Sequence, residues 1–382
     1  MINLSSRSQT VNASIFNELA AAREKYEAQG INVYDLSIEM PDMAPSLDIR
    51  EAVSGSATKA WNFSYSLGDM PQLKEAVFSW YNARYGVVLD IDEISSAGSI
   101  PGALLKLLHV LTDPGDKVLI QDPCSPYVLS AVRNAGCVPV TMPLKAENDF
   151  LPILGNINVE ESKVMILSYP NNPTTATAPD SFYPKLIEFV SDNGIIVIHD
   201  SSYSDICYDG ITAKSFLAFE GAKDIGVELN SLSTTYSTYG MNAGFVLGNA
   251  DIIRAFTAFR SSMGDETFFP VQYGIIAALT SEQSSVEETI SLFEYRRDSM
   301  IEALEGSSLE IVPCRATPFL WAKLPEKYKD DVAFTYALLD QAHVLVTPGS
   351  AFGNEGKGYI RLALNRRRPF LIEAANLIKE FI

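Results

Sequence analysis

Apolar and polar residues follow two different periodicities along this chain. Between about residues 98 and 250, short apolar runs rich in β-branched side chains are separated by longer stretches in which apolar residues recur at helical spacing. The runs cover 118–120, 138–140, 164–167 and 195–198, and the helical stretches include 125–136 and 180–193. Strands that alternate with helices in this way predict a doubly wound α/β fold, with a mainly parallel sheet covered on both faces.

The segments on either side of this region have different patterns. Residues 14–28 place apolar side chains at helical spacing and are followed by Gly30, which predicts a helix with a glycine stop. A long helical stretch at 282–305 precedes two short apolar runs, 319–322 and 358–362, that predict strands. These patterns indicate a second, smaller α+β unit near the C-terminus.

We therefore expect three parts along the chain. A large α/β domain is expected at 46–285 and a small C-terminal domain at 286–382, with an arm and helix at 1–45 that complete the small domain. In doubly wound sheets, ligands bind beyond the carboxyl ends of the strands. The polar residues that directly follow each apolar run are therefore the first candidates for a functional site.

Composition narrows the class of protein. The 382 residues include 47% hydrophobic and 20% charged residues, as expected for a globular protein, and the net charge of −18 argues against a nucleic-acid partner. The basic cluster at 366–368 is expected to be a solvated helix start.

Four scattered cysteines and three histidines favour neither a disulfide framework nor a metal site. Without a long apolar run or an apolar leader, we expect no membrane span and no signal peptide, and a cytoplasmic location.

Polar side chains follow two of the predicted strands. Asp200 and Tyr203 come after the run at 195–198, where a carboxylate can pair with a protonated heteroaromatic nitrogen or cap the next helix. Asn172 lies between two prolines after the run at 164–167, where it can donate to an oxyanion or belong to a plain turn.

Two further positions are candidates for binding anions. Ser99 precedes an expected helix start, whose free amides can bind an anion, although a serine cap followed by Pro101 explains the pattern equally well. Arg361 lies in a short apolar strand. A guanidinium in that setting needs a carboxylate partner, which a substrate can supply as well as the protein can.

In combination, these segments are similar to class I/II aminotransferases of the fold type I pyridoxal-phosphate superfamily, over nearly the whole chain. The resemblance is carried by residues 36–42, 68–74, 169–173, 199–203, 230–245 and 347–353. It implies a fold type I aminotransferase architecture and a transferase of amino-acid metabolism that acts on a small amino-acid-like substrate. It also implies a homodimer with the site at the interface.

The resemblance assigns roles to individual residues. Asp200 would pair with the pyridine nitrogen of the cofactor, and Asn172 and Tyr203 would bind the ring hydroxyl. Arg361 would clamp the substrate carboxylate, which Asn172 also adjoins. The residues placed around the cofactor phosphate are Ser99, Ser231, Ser233 and Asn242.

Four positions depart from the family pattern. Thr234 stands where the lysine that forms the Schiff base belongs, and a hydroxyl forms no imine. Asn242 replaces an arginine that pairs with the phosphate, which removes a charge-assisted bond of roughly 1.5–3 kcal/mol. Phe63 replaces a tyrosine that reaches the phosphate from the neighbouring subunit. Ser125 replaces the aromatic residue that stacks on the ring, and Tyr127 compensates only if its loop shifts.

The missing lysine is not explained by a shifted alignment. The spacing from Ser231 to Gly244 fits the family without a gap, and no lysine lies between Lys223 and Lys323. Other lysines, at positions 106, 214 and 357, are expected to face solvent.

Three hypotheses for the function remain open at this point. In the first, pyridoxal or pyridoxamine phosphate binds without a covalent link, and Tyr203, Tyr236 or His199 acts as the base. In the second, the protein needs no pyridoxal and acts on an amino-acid-derived carboxylate held by Arg361. In the third, it is a non-catalytic binding or scaffold protein. Loss of a positioned base costs about 10²–10⁴-fold in rate, so conventional transamination is not expected.

Glu39 is a further candidate for substrate binding. It stands where the family often has glycine, and it can bind a basic group of the substrate or lie in the loop as an exposed carboxylate. The resemblance places substrate specificity in the loops at 12–20, 39–40 and 263–270.

Overall fold

The computed structural model describes residues 15–39, 42–159 and 161–382. The helices in these ranges are α1 Ile15–Glu27, α2 Leu47–Ala57, α3 Pro71–Tyr85, α4 Ile100–Leu111, α5 Pro126–Asn134, α6 Phe182–Asp192, α7 Ala222–Ile225, α8 Ala250–Ser262, α9 Phe269–Thr280, α10 Ser284–Leu304, α11 Asp331–Ala342 and α12 Arg368–Phe381. The strands are β1 Tyr34–Asp35, β2 Ile94–Ala97, β3 Lys117–Asp122, β4 Val138–Pro143, β5 Ser162–Ser168, β6 Ile196–Asp200, β7 Gly226–Ser231, β8 Gly244–Gly248, β9 Glu310–Ile311, β10 Phe319–Lys323, β11 Val344–Leu345, β12 Thr347–Pro348 and β13 Tyr359–Ala363.

A seven-stranded sheet in the order β2-β8-β7-β6-β5-β3-β4 forms the centre of the molecule. The five strands from β7 to β4 run parallel, and β8 and β2 add two antiparallel pairings at one edge. Buried apolar side chains pack against both faces of this sheet. The doubly wound, mainly parallel α/β class is therefore confirmed.

The apolar runs account for the strands in the middle of this sheet. The runs at 118–120, 138–140 and 164–167 lie in β3, β4 and β5, and β6 begins one residue into the run at 195–198. The helical stretches at 125–136 and 180–193 contain α5 and α6. The flanking predictions also correspond to observed elements, namely α1, α10, β10 and β13. Gly30 takes a positive φ of 79° just after α1, a conformation that glycine adopts without steric cost.

A second, antiparallel sheet has the order β12-β13-β10-β9 and packs with α10, α11 and α12 around its own apolar cluster. β1 pairs in parallel with β11, which ties the N-terminal segment to this unit. The basic residues at 366–368 lie at the start of α12, with Arg367 and Arg368 exposed. The division at 1–45, 46–285 and 286–382 stays a prediction.

Some sequence predictions fall on undescribed positions. Residues 12–14 of the predicted specificity loop and N-terminal helix, and Met40 and Pro41 in the segment at 36–42, lie outside the described residues. Within the described ranges, no helix combines the length and apolar character that crossing a bilayer requires.

Candidate active site

A cavity of about 360 Å³ opens at the carboxyl edge of the parallel strands. Its volume is at the lower end of the range for small-molecule sites, so it suits a ligand of amino-acid size. The ends of β5, β6 and β7 supply Ser168, Asp200 and Ser231 to its wall. The other polar lining residues are Glu39, Ser99, Gln121, Ser125, Tyr127, Asn172, Ser202, Tyr203, Ser233, Thr234, Tyr239 and Asn242.

Glu39 is the central acceptor in one part of this cavity. Its Oε1 accepts hydrogen bonds from Thr234 Oγ1 at 2.8 Å and from Tyr239 Oη at 3.0 Å. Its Oε2 accepts from Tyr203 Oη at 2.9 Å. Of the two sequence interpretations of Glu39, the structure therefore supports a carboxylate within the site over an exposed loop carboxylate.

The hydroxyl groups around Glu39 are donors. Burial, reinforced by the negative charge of Glu39, raises the pKa of Tyr203 well above its ordinary value, and the same two causes raise the pKa of Tyr239. Both phenols therefore stay protonated at neutral pH. Tyr203 can position Glu39 and donate a hydrogen bond, but this environment does not favour it as the base that the first hypothesis requires.

Asp200 has protein partners on both of its oxygens. Oδ1 accepts from the Ser202 amide at 3.0 Å and from the Ser202 hydroxyl, and Oδ2 accepts from Tyr127 Oη. Burial raises the pKa of this carboxyl, and its neighbours are neutral hydroxyls. The hydroxyl of Tyr127 thus binds Asp200, the residue for which the sequence had suggested a heteroaromatic partner.

Arg361 lies beside the cavity, on β13 of the antiparallel sheet. Its guanidinium donates to Asn172 Oδ1 at 2.9 Å and to the Ser37 carbonyl at 3.2 Å. Phe319 and Phe352 cover it, with its Cζ 4.1 and 4.8 Å from their ring centroids. Burial lowers its pKa to about 10, so the group stays cationic at neutral pH.

Arg361 forms no ion pair, although the negative charge of Glu39 acts on it from beyond ion-pair distance. Among the described residues no carboxylate oxygen lies within ion-pair distance of it, and its Nε has no hydrogen-bond partner. The arginine is 5% exposed. A buried cation of this kind is costly unless a counter-ion joins it, which a ligand carboxylate would do.

Most of the residues singled out from the sequence converge on this cavity. Its lining includes the following candidates: Glu39, Ser99, Asn172, Asp200, Tyr203, Ser231, Ser233, Thr234 and Asn242. Arg361 adjoins it through Asn172.

Two other candidate bases lie elsewhere. Tyr236 donates to Gln283 Oε1 at 2.6 Å and lines a different pocket, next to Trp80 and Arg84. His199 is fully buried, with its ring stacked on Phe216. Neither side chain lines the cavity, so neither can act as a base on a ligand bound there.

The buried neighbours of His199 form a separate polar cluster on the sheet. His199 Nδ1 lies 3.3 Å from Glu228 Oε2, and Glu228 also accepts from Tyr81 Oη, from Ser215 Oγ at 2.9 Å and from the Phe216 amide at 2.7 Å. Burial raises the pKa of Glu228 to about 8 and lowers that of His199 to about 3. Both groups are therefore largely neutral at pH 7.

One functional candidate was missed in the sequence. Tyr239 binds Glu39 and receives a hydrogen bond from Asn365 Nδ2 at 3.2 Å, which fixes its hydroxyl at the cavity. The sequence offered a signal in the form of three tyrosine or threonine hydroxyls at 236–239. Their order alone does not reveal which one faces the ligand.

Pyridoxal phosphate, the cofactor that the resemblance implies, does not fit the arrangement of these residues. Asp200, its expected partner for the ring nitrogen, is bound by Tyr127. The described lining contains no lysine, arginine or histidine, and it contributes two carboxylates, Glu39 and Asp200. A phosphate dianion would therefore enter a site without a cationic side chain.

The amides at the N-terminus of α4, next to Ser99, compensate little for the missing cationic side chain. Pro101 has no amide hydrogen, and the Gly102 amide already donates to Ser99 Oγ at 3.2 Å. Ser231 Oγ likewise accepts from the Ser233 amide at 3.2 Å. Lys106, one turn further along α4, is paired with Asp265 rather than directed into the cavity.

Sequence comparisons place these features in a family. The model of the family "Aminotransferase class I and II" matches residues 31–371. LL-diaminopimelate aminotransferase from Desulforudis audaxviator is 37% identical over 359 residues, which cover 92% of this chain and 91% of that protein. The enzyme of the same name from Moorella thermoacetica is 35% identical over 377 residues, which cover 97% and 95%.

Solved structures agree with this placement. A substrate-bound BacF structure from Bacillus subtilis superimposes with a TM-score of 0.95 at 30% identity and covers 100% of this chain and 98% of that one. A probable N-succinyldiaminopimelate aminotransferase from Thermus thermophilus gives a TM-score of 0.91 at 32% identity, with 97% and 100% covered. Members of this family use pyridoxal phosphate and act on small amino-acid substrates. The chain therefore belongs to the class I and II aminotransferase family.

Proposed function

We propose that this protein binds and acts on an amino-acid-derived carboxylate, which Arg361 holds, and that it does so without a lysine-linked pyridoxal cofactor. The observation that carries the proposal is the buried guanidinium of Arg361, which has neutral oxygen partners beside a cavity of amino-acid size. A ligand carboxylate would neutralise this charge and use the free Nε donor.

The second sequence hypothesis is thus the one that we retain. Thr234 offers no amine for a covalent link, and Asp200 is engaged by Tyr127. Thr234 donates to Glu39, as does Tyr203. In the proposed function these hydroxyls fix the orientation of the Glu39 carboxylate at the ligand.

The proposal is tested by carboxylate binding to purified protein and to an Arg361→Gln variant. We expect L-amino acids, with LL-diaminopimelate included because two relatives are named for it, to raise the thermal midpoint of the wild-type protein. Loss of the charge-assisted bond should weaken binding by about 10- to 100-fold in the variant. Calorimetric titration measures the affinities.

Two further variants make this experiment decisive. Arg254→Gln removes an exposed arginine from α8 and should bind like the wild type. Arg361→Lys keeps the charge but changes the geometry of its donors, and should bind with intermediate affinity. If every carboxylate tested binds equally to wild type and Arg361→Gln, or if none binds to either, Arg361 is not a carboxylate site and the proposal is wrong.

We also propose a homodimer, supported by an exposed apolar surface that we call the 61–67 patch. Trp61, Phe63, Tyr65 and Leu67 are 70%, 64%, 93% and 97% exposed, and Phe63 meets Phe268 edge to face at 5.5 Å. An apolar surface of this kind is typical of a protein interface. The family resemblance makes a second copy of the chain the expected partner.

The double substitution Tyr65→Ser and Leu67→Ser is expected to convert this dimer to a monomer, because it removes two large apolar side chains from the interface. Sedimentation velocity should give twice the mass of one chain for the wild type and a single-chain mass for the variant. Val138→Ser is the control, because Val138 is an exposed residue on β4, at the opposite edge of the sheet from β2. A wild-type protein that sediments as a monomer would contradict the proposal.

A further inference from the structure

We propose that Arg366, Arg367 and Arg368, which we call the arginine patch, bind a small anion that carries several linked phosphoryl groups. The patch lies on the turn between β13 and the first residue of α12, and none of its residues lines the cavity described above. The inference therefore does not depend on the proposed function. It assigns to the protein a second binding site and a class of ligand, the polyphosphates, either inorganic or attached to a nucleoside.

The three guanidinium groups of the patch have no carboxylate partner. Arg366 donates to the Asn365 carbonyl at 3.3 Å, and Arg368 Nε donates to Ser299 Oγ at 2.8 Å, so both acceptors are neutral. The side chain of Arg367 is exposed and has no hydrogen-bond or ion-pair partner among the described residues. Three consecutive cations are thus left with free donors and without a counter-ion.

Acidic side chains on the neighbouring segments are paired with other arginines. Asp298, one residue before the serine that Arg368 contacts, pairs with Arg297 at 2.8 Å. Asp42 pairs with Arg296 at 2.6 Å, and the same arginine reaches the backbone just after β13. Within the described ranges, these carboxylates form no ion pair with the patch, which leaves it open to an anion from solution.

Aromatic rings hold two of the three arginines. Arg366 Cζ lies 6.0 Å from the ring centroid of Phe370, and Arg368 Cζ lies 5.1 Å from that of Tyr295. An arginine that already packs beside a ring loses less side-chain freedom when it binds a ligand. Its planar fork of N–H donors matches phosphate oxygens in pairs. The patch is therefore partly ordered for phosphate binding.

The N-terminus of α12 adds a smaller contribution of the same sign. Arg367 is the N-cap residue, its side chain does not cap the helix, and the first turn contains no acidic residue. The positive end of the helix dipole therefore lies at the patch without a negative side chain to offset it. The arginines define the site, and the helix end strengthens it.

The acidity of the whole protein limits the size of the ligand. The net charge of −18 repels anions at long range, but at about 0.15 M salt this field decays over about 8 Å, so the local arginines decide whether an anion binds. Linked phosphoryl groups can contact more than one guanidinium, whereas a single carboxylate cannot. A long polyanion such as a nucleic acid would extend from the patch over acidic surface, which favours a small ligand.

The experiment titrates inorganic tripolyphosphate and ATP, in buffer without divalent cations, into the wild type and into the triple variant Arg366→Gln, Arg367→Gln and Arg368→Gln. Calorimetry is expected to show binding to the wild type that is at least about 10-fold weaker in the variant. Citrate at the same ionic strength should bind the wild type at least about 10-fold more weakly than tripolyphosphate. The relative affinities of tripolyphosphate and ATP distinguish a free polyphosphate from a nucleotide as the source of the phosphoryl groups.

A second triple variant, Arg50→Gln, Arg133→Gln and Arg254→Gln, makes the same change in net charge at three exposed, separate arginines and should bind like the wild type. Circular dichroism and thermal midpoints would show that both triple variants fold. Equal losses in the two variants would mean that only net charge matters and would overturn the proposal. So would the absence of binding by both probes at millimolar concentration, equal binding of citrate, or a loss of polyphosphate binding in Arg361→Gln, which would place the anion in the cavity.

Discussion

Substitution of Thr234 by lysine alone is expected to leave the protein without useful transaminase activity. The family resemblance places the Schiff-base lysine at this position, so a simple view is that one residue would restore the chemistry. The structure predicts otherwise. Thr234 Oγ1 lies 2.8 Å from Glu39 Oε1, and the ammonium of a lysine at this position would pair with the Glu39 carboxylate.

Further obstacles would remain in the Thr234→Lys protein. Tyr127 would still bind Asp200, and the described cavity lining would still lack a cation for a phosphate. A more complete restoration combines Glu39→Gly, Ser125→Tyr, Tyr127→Ala, Thr234→Lys and Asn242→Arg. We expect this fivefold variant, supplied with pyridoxal phosphate, to exceed the single variant by at least about 10²-fold in amino-group transfer.

A coupled assay for amino transfer from L-glutamate to a panel of 2-oxo acids measures this difference. Thr58→Lys, which adds a lysine at an exposed threonine, controls for nonspecific amine catalysis. Circular dichroism would establish that the fivefold variant folds. A Thr234→Lys protein as active as the fivefold variant would mean that Tyr127, Glu39 and Asn242 do not obstruct the cofactor.

The second large effect is a loss of folding stability as the pH rises through the titration of Glu228. Burial raises the pKa of this carboxyl from 4.5 to about 8. In the folded protein it keeps its proton over a range in which the unfolded chain has released it. Its contribution is therefore fully present below pH 4.5 and is lost as the pH rises to about 8, a change on the order of 4 kcal/mol.

His199 has the opposite dependence. Burial lowers its pKa from 6.5 to about 3, so its contribution is present above pH 6.5 and is lost as the pH falls towards 3. Above pH 6.5 this histidine no longer affects the dependence of folding stability on pH. The interval from pH 6.5 to 8 therefore isolates Glu228, where its share is about 2 kcal/mol.

Urea titrations of the wild type and of Glu228→Gln at pH 5, 6.5 and 8 test this expectation. The variant should lose less stability than the wild type between pH 6.5 and 8, because glutamine does not titrate. Glu188→Gln, a change of an exposed carboxylate on α6, should follow the wild-type profile. Parallel profiles for Glu228→Gln and wild type would show that the carboxyl is already ionised in the folded state.

The sequence predicted the middle of the sheet well and its antiparallel edge poorly. β3, β5 and β6 are continuous apolar runs because both of their faces are covered. β2 has the sequence Ile-Ser-Ser-Ala, and β7 carries Glu228 and Asn230. These polar residues are buried and held by hydrogen bonds from distant segments, so local pattern does not identify their strands.

The sequence predicted which residues line the site better than it predicted the hydrogen bonds between them. The resemblance brought Asp200, Asn172 and Thr234 to one cavity, as the structure does. The bond between Thr234 and Glu39 joins residues 195 positions apart and depends on the packing of two loops. Tyr239 was missed in favour of Tyr236 because left-handed backbone at Ser237, which no periodicity records, turns the chain between the two tyrosines.

Because the Ser37 carbonyl binds residues near the end of the chain, the ligand site is assembled late in folding. It accepts from Thr347 Oγ1 at 2.5 Å and from Arg361, more than 300 residues later, while the neighbouring Leu36 amide donates to the Leu345 carbonyl at 2.8 Å. During synthesis, Glu39 emerges early, but the backbone bonds that hold its segment against the small unit form only when these late strands have folded. A growing chain that has already completed the large sheet would still lack a ligand site. Ligand binding thus reports the completion of folding, and a ligand added during refolding would stabilise only the finished molecule.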